Sequence, residues 1–167
     1  MANLIPISTV VVGSGGAASI SFSSIPGTYT DLVVKLSART TDAGTSWQNI
    51  LIRPNGATTS QSDKYVYGTG SVAASSGESN IKTWANQGGT TSSTFANSEI
   101  YIPNYAGSNN KSFSIDAVTE QNGTSALTFL GAALWSSSSA ITSITLTPDT
   151  TNFAQYSTAT LYGIRKY

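Results

Sequence analysis

The sequence predicts an all-β fold, an antiparallel β-sandwich of about eight to ten strands in one domain spanning residues 1–167, and three observations predict it. Apolar residues recur at every second position far more often than at helical spacing. Clusters of Ser, Thr, Gly and Asn punctuate these runs about every ten residues, which is the turn rhythm of a sandwich. No stretch of about a dozen residues keeps an amphipathic helical stripe free of Gly, Pro and dense β-branching, so at most one short helical turn is expected.

The first run, Leu4 to Val12, stops at Gly13-Ser14-Gly15-Gly16. A second, Ala18 to Ser23, alternates cleanly and ends at the Pro26-Gly27 turn. The third, Thr30 to Arg39, places Leu32, Val34, Leu36 and Ala38 on a core face. Asp31, Val33, Lys35, Ser37 and Arg39 share its other face, which is expected to be mostly solvated. Further strands are read at Gln48–Arg53, Lys64–Tyr67, Thr94–Ile102, Lys111–Glu120, Ala126–Trp135, Ile141–Thr147 and Thr158–Arg165. Segments 40–47, 54–63 and 68–93 read as long loops rich in Ser, Gly and Thr, a kind that is usually functional or held by a partner.

Composition narrows the function classes. Ser and Thr make up about thirty per cent of the chain and charged residues 10%, against roughly a quarter charged in ordinary soluble domains. Thr suits an exposed sheet face, because its β-branch fits the pleat while its hydroxyl stays in water. Eight basic residues balance eight acidic ones without a run of either sign, so no electrostatic footprint for nucleic acid or an anionic membrane is expected. The N-terminal apolar stretch has no basic residue before it and is broken by Asn3 and Pro6, unlike a signal peptide. No window approaches the roughly eighteen apolar residues of a membrane span.

Catalysis is not expected. The chain has no His, the usual general base near neutral pH, and no Cys, so the common hydrolase triads and zinc sites have no ligands to draw on. Asp116 and Glu120 share a strand face but stand about 13 Å apart at strand rise. A glycosidase pair needs about 5 to 9.5 Å, which only carboxylates from different strands could meet. Gly13-Ser14-Gly15-Gly16 reads as a hairpin turn because a strand follows it, where a phosphate cradle would need a helix. Asp149-Thr150-Thr151-Asn152 and Asn109-Asn110 offer oxygen ligands suited to calcium, but neither has a recognisable calcium-loop pattern, and Asx turns account for both. Asn122-Gly123 reads as a hairpin turn, and the glycosylation patterns beginning at Asn110 and Asn122 lack an export signal. No cofactor is implied.

Two groups of residues are candidates for binding. Trp47 and Trp84, in or beside the long loops, and Tyr101 and Tyr105, flanking Pro103, could form a stacking platform for the rings of a host glycan. The plainer reading is that they plug the ends of the sandwich. Segment 126–135 is apolar on both faces, with Leu127, Phe129, Ala133 and Trp135 on one and Leu130, Ala132 and Leu134 on the other. A two-layer sandwich covers one face of each sheet, so the second face needs a loop of this chain or another subunit as cover. Leu161 to Ile164 repeats the pattern.

Residues 21–39, Ser-Phe-Ser-Ser-Ile-Pro-Gly-Thr-Tyr-Thr-Asp-Leu-Val-Val-Lys-Leu-Ser-Ala-Arg, resemble a phrase common in virion structural proteins of tailed bacteriophages, particularly marine ones. The closing segments, Ile141-Thr-Ser-Ile-Thr-Leu-Thr-Pro148 and Phe153 to Lys166, are similar to the end of the same proteins. The resemblance implies a jelly-roll-like, oligomeric virion module, used as a capsid decoration protein, head fibre or tail-fibre domain. Met1 stands only about twenty residues before the first phrase, so a fibre shaft is not expected and decoration of the capsid surface is favoured. The expected partners are further copies of the chain, a trimer by preference, and the major capsid protein. Leu4, Ile5, Phe129, Leu130, Leu134 and Leu161 are the expected interface. The alternative, a tail-fibre or head-fibre module, would use the aromatic platform on a host surface glycan.

Overall fold

The computed structural model describes residues 3–123 and 126–165. Its strands are β1 (Asn3–Val11), β2 (Ile20–Phe22), β3 (Asp31–Ala38), β4 (Trp47–Pro54), β5 (Gln61–Gly68), β6 (Ala73–Ser76), β7 (Lys82–Asn86), β8 (Ala96–Pro103), β9 (Lys111–Val118), β10 (Thr128–Trp135), β11 (Ile144–Pro148) and β12 (Thr158–Arg165). Among the described residues there is no helix. Eight strands form one sheet in the order β1-β12-β3-β8-β9-β10-β5-β6, and four form a second in the order β2-β11-β4-β7. Every ladder is antiparallel, and the protein is the expected β-sandwich with two strands beyond the expected range.

The core lies between the sheets. Leu32, Val34, Leu36 and Ala38 of β3 meet Ile100 and Ile102 of β8, while Ile50 and Ile52 of β4 and Ile144 and Leu146 of β11 close from the smaller sheet. Strand alternation puts these residues on one side of each sheet, and their burial is the main stabilising term. The outer face of β3 departs from expectation at both ends, where Asp31, Val33 and Arg39 are buried and only Lys35 and Ser37 meet solvent. Asp31 accepts hydrogen bonds from the Tyr101 hydroxyl at 3.0 Å and the Asn104 N–H at 3.0 Å. The Arg39 guanidinium donates to the carbonyls of Gly88, Thr90, Thr91 and Thr94, so segment 88–94 folds around a cation.

Both strands that pattern reading missed, β6 and β7, lie in the segment read as the loop 68–93. In β7 every residue is buried, including Lys82, Thr83 and Asn86. Lys82 and Thr83 find polar or aromatic partners within the protein. Lys82 pairs with Glu78 and sits 4.8 Å from the centre of the Tyr65 ring, and Thr83 bonds Ser98 at 2.8 Å. With polar residues buried alongside apolar ones, β7 shows no period-two signal, yet it packs the smaller sheet against β3, β8, β9 and β10.

Of two glycine-bearing turns read as hairpins, the first differs from expectation. Residues 13–16 do turn, with the Gly16 N–H bonding the Gly13 carbonyl at 3.1 Å, but they carry the chain from one sheet to the other and so do not close a hairpin. Gly16 takes φ +69, and a Cβ there would lie 2.8 Å from the Phe153 carbonyl oxygen, so both backbone and space require glycine. Asn122-Gly123, with φ +53 at Asn122, lies in the connection 119–127 that joins the antiparallel neighbours β9 and β10, so it does fall in a hairpin, with a longer connection than a two-residue turn; Thr124, which completes the glycosylation pattern, lies outside the described residues. At the opposite edge, β1 carries Pro6 and a register shift between Pro6 and Ser8 against β12.

Candidate functional site

Strand β10 divides its side chains as the sequence predicts. Phe129, Ala133 and Trp135 point into the sandwich, whereas Leu130 is 58% exposed, Ala132 is exposed and Leu134 is half-buried. The register builds the neighbourhood of Leu130. Its direct neighbours are Asp116 of β9 and Val66 of β5, and Val66 in turn faces Ser75 of β6. Val66 is 53% exposed, and Val118 on β9 is 45% exposed one row away. Shallow grooves of about 740 and 810 Å³ run on either side of Leu130 and Val66. Ala73, Ala74, Val118 and Thr128 line the first, and Ser114, Ala132 and the stem of Lys64 the second. No segment of this chain covers that face among the described residues.

Continuing the same row across the sheet gives a different surface. Asp116 faces Glu99 of β8, Glu99 faces Lys35 of β3, and Lys35 faces Thr160 of β12 and then Thr9 of β1. Lys35 and Glu99 form an exposed ion pair, and Thr9 bonds Thr160 at 3.0 Å. Along this row the outer face is polar from β9 to β1 and apolar at β10 and β5, while Leu4 and Val11 stand exposed on the edge strand β1.

Of the expected interface residues, only Leu130, Leu134 and the exposed Leu4 reach solvent substantially. Phe129 is buried in a ring cluster, stacked at 5.0 Å on Tyr65 and edge-on at 4.7 Å to Trp84. Leu161 is fully buried, because alternation in β12 sends it to the core and sends Thr160 and Tyr162 outward. Ile5 is half-buried on the inner side of β1. Leu4 lies on the outer face, but four strands separate β1 from β10, roughly 24 Å at sheet spacing, so the two do not form one surface.

The aromatic platform also comes apart. Trp84 is buried in β7, where its indole N–H donates to Asn49 Oδ1 at 2.9 Å. Tyr105 is fully buried and its hydroxyl donates to the Pro26 carbonyl, pinning the turn before β3; burial pushes its pKa up. Tyr101 is half-buried and its hydroxyl is committed to Asp31, with burial first and that bond second raising its pKa. Trp47 is half-buried, its ring resting 5.4 Å from Trp84 at an interplanar angle of 44°.

Around Trp47 lies a polar cup of about 250 Å³, lined by Asp42, Gln48, Asn49, Gln87, Asp149 and Thr150. Pairing of β4 with β11 brings Gln48 and Asp149 together across 101 residues of chain. Asp149 accepts from Gln48 at 2.6 Å and from Asn49 at 3.0 Å. Asp42 accepts from the Gly44 N–H at 2.7 Å, from Gln87 at 3.1 Å and from Thr150 at 3.4 Å. Sequence reading named Trp47 and the Asp149 segment separately; what it lacked was the strand pairing that joins them.

The remaining candidates for chemistry stay dispersed. Glu120 falls beyond the end of β9, and its carboxylate caps the Gln121 and Asn122 N–H groups, so Asp116 and Glu120 do not share a strand. Among the described residues no group of three or more metal-ligating Asp or Glu side chains occurs. Asp63, on the inner face of β5, is the most perturbed carboxylate environment: Oδ1 accepts the Glu78 N–H at 2.7 Å and Oδ2 has no partner. Desolvation raises its pKa, opposed by the Glu78 hydrogen bond and by Lys82.

No known family model, curated protein or solved structure matches this chain.

Proposed function

We propose that this chain is a virion structural protein of a tailed bacteriophage, a jelly-roll-like capsid decoration protein that acts by contact and carries out no catalysis. The observation that carries the reading is the apolar patch on the outer sheet face, centred on Leu130 and Val66, which the other described residues leave open. Burying exposed Leu and Val side chains stabilises an association by about 25 cal/mol for each Å² removed from water. With 8 basic and 8 acidic residues and no run of either sign, steering by charge is weak, so shape and apolar contact select the partner. The resemblance of residues 21–39 and 141–166 to phage virion proteins supplies the biological setting.

In this reading copies of the chain associate, a trimer being favoured, and dock on the major capsid protein at the head surface. A contact that exists only on the assembled shell stabilises the shell by mass action. The test is light scattering of the purified chain together with cosedimentation on phage capsids. The expected result is an oligomer that binds capsids, with both properties lost in Leu130→Asp. A monomer that ignores capsids would overturn the reading.

A further inference from the structure

We infer that the cup around Trp47 is a binding site for a neutral saccharide, with the indole face covering the sugar's C–H surface and Asp42 and Asp149 accepting hydrogen bonds from its hydroxyls. This site is separate from the apolar sheet face and does not depend on the proposed role in the virion.

The chemistry of the lining argues for a hydroxyl-rich, uncharged ligand. Trp47 is held from behind by the buried Trp84, whose own orientation is fixed by the bond to Asn49. A braced, half-buried aromatic ring that lines a cup suits the flat apolar side of a pyranose. The two carboxylates are already oriented before any ligand arrives. Asp149 is held by Gln48 and Asn49, and Asp42 by Gly44, Gln87 and Thr150. An ionised carboxylate offers about four lone-pair positions, so these two and three bonds leave acceptor capacity on both groups. What they lack is donors, and vicinal hydroxyls supply donors in pairs.

Charge sets the specificity. No basic side chain lines the cup, so two carboxylates face the ligand uncompensated, and an acidic sugar would be repelled. A volume of about 250 Å³ is below the roughly 300 Å³ at which drug-sized pockets begin, which fits one terminal sugar ring and excludes a long buried chain. Because the carboxylates are positioned by the fold, little ordering is needed on binding.

The experiment probes the full chain on a panel of neutral and acidic oligosaccharides in the presence of EDTA, followed by titration of the responding sugar. An amide and indole N–H spectrum of the wild-type protein is recorded during that titration. The expected result is saturable binding of a neutral glycan, with the Trp47 indole signal shifting while that of Trp135 stays fixed. Trp47→Ala should weaken binding at least about tenfold, and Trp47→Phe should restore part of the loss. The inference is overturned by a panel with no neutral response, by preference for acidic sugars, by binding that appears only with added calcium, or by a wild-type titration that leaves the Trp47 signal in place. The spectral readout needs no variant, so a misfolded Trp47→Ala does not weaken the test.

Discussion

Phe129 and Leu130 are neighbours in β10, both large and apolar, and their surroundings are opposite. Phe129 is 3% exposed and locked among Tyr65 and Trp84, whereas Leu130 is 58% exposed beside Val66. The inner and outer faces of β9, β10 and β5 repeat the contrast along their length. Alternation decides which face a side chain takes, but only the presence of a second layer decides whether that face contributes to folding. Here the smaller sheet, through β7, covers the inner face alone. The two faces therefore divide the work of the strand: one holds the monomer together, and the other is available for contact.

The largest expected effect breaks the inner side of this comparison. Phe129→Ala removes a ring from a close-packed cluster and should cost about 3–5 kcal/mol of unfolding free energy, read from the urea midpoint. A loss below about 1 kcal/mol would mean that the aromatic cluster does not hold the sheets together.

A smaller effect comes from Asp63 on the same inner face and is visible through pH. Its pKa is raised in the folded state, first by desolvation, so the folded protein holds the proton more tightly than the unfolded chain. Its contribution to stability is present below the unfolded value, near 3.8, and is lost as pH rises through the folded value. Asp63→Asn keeps an acceptor for the Glu78 N–H and carries no charge, so its melting temperature should gain on the wild type as pH rises across that window. Parallel pH profiles for the two proteins would show that Asp63 is not desolvated.

The smallest expected effect on stability sharpens the outer side. Leu130→Ser should change unfolding free energy by no more than about 0.5 kcal/mol, as for a surface position, while weakening self-association in sedimentation velocity. If it destabilised the isolated chain as Phe129→Ala does, the outer face would be part of the core after all.

Much of the fold was legible because most strands are half-buried. In β9 the run Ser112-Phe-Ser-Ile-Asp-Ala117 alternates polar and apolar at each step, and the burial follows it; only the ends, buried Lys111 and exposed Val118, break the rule. Strand β7 was not legible for the opposite reason. Lys82, Thr83 and Asn86 are polar residues in a fully buried strand: Lys82 pairs with Glu78 four residues away, but Tyr65 and Ser98 pack on β7 from other strands, and no local pattern reports that. The same limit applied to the binding residues. Leu130 and Leu134 could be placed outside by counting along β10, and burial of Trp84 and Tyr105 was the plainer reading, but nothing near them named the partners that fix them, Asn49 and the turn before β3. The Trp47 cup depended on the pairing of β4 with β11, and a single sequence does not state which strands pair.

The irregular edge strand β1 has a consequence for assembly. A proline lacks the N–H needed to continue a ladder, and the shift between Pro6 and Ser8 breaks the spacing that a docking strand would read. Growth by adding strand after strand is thus terminated at that margin, in the way a chain stopper ends a polymer. Strand addition on the eight-stranded sheet is thereby confined to its other edge, β6, where two copies could join but a third could not follow.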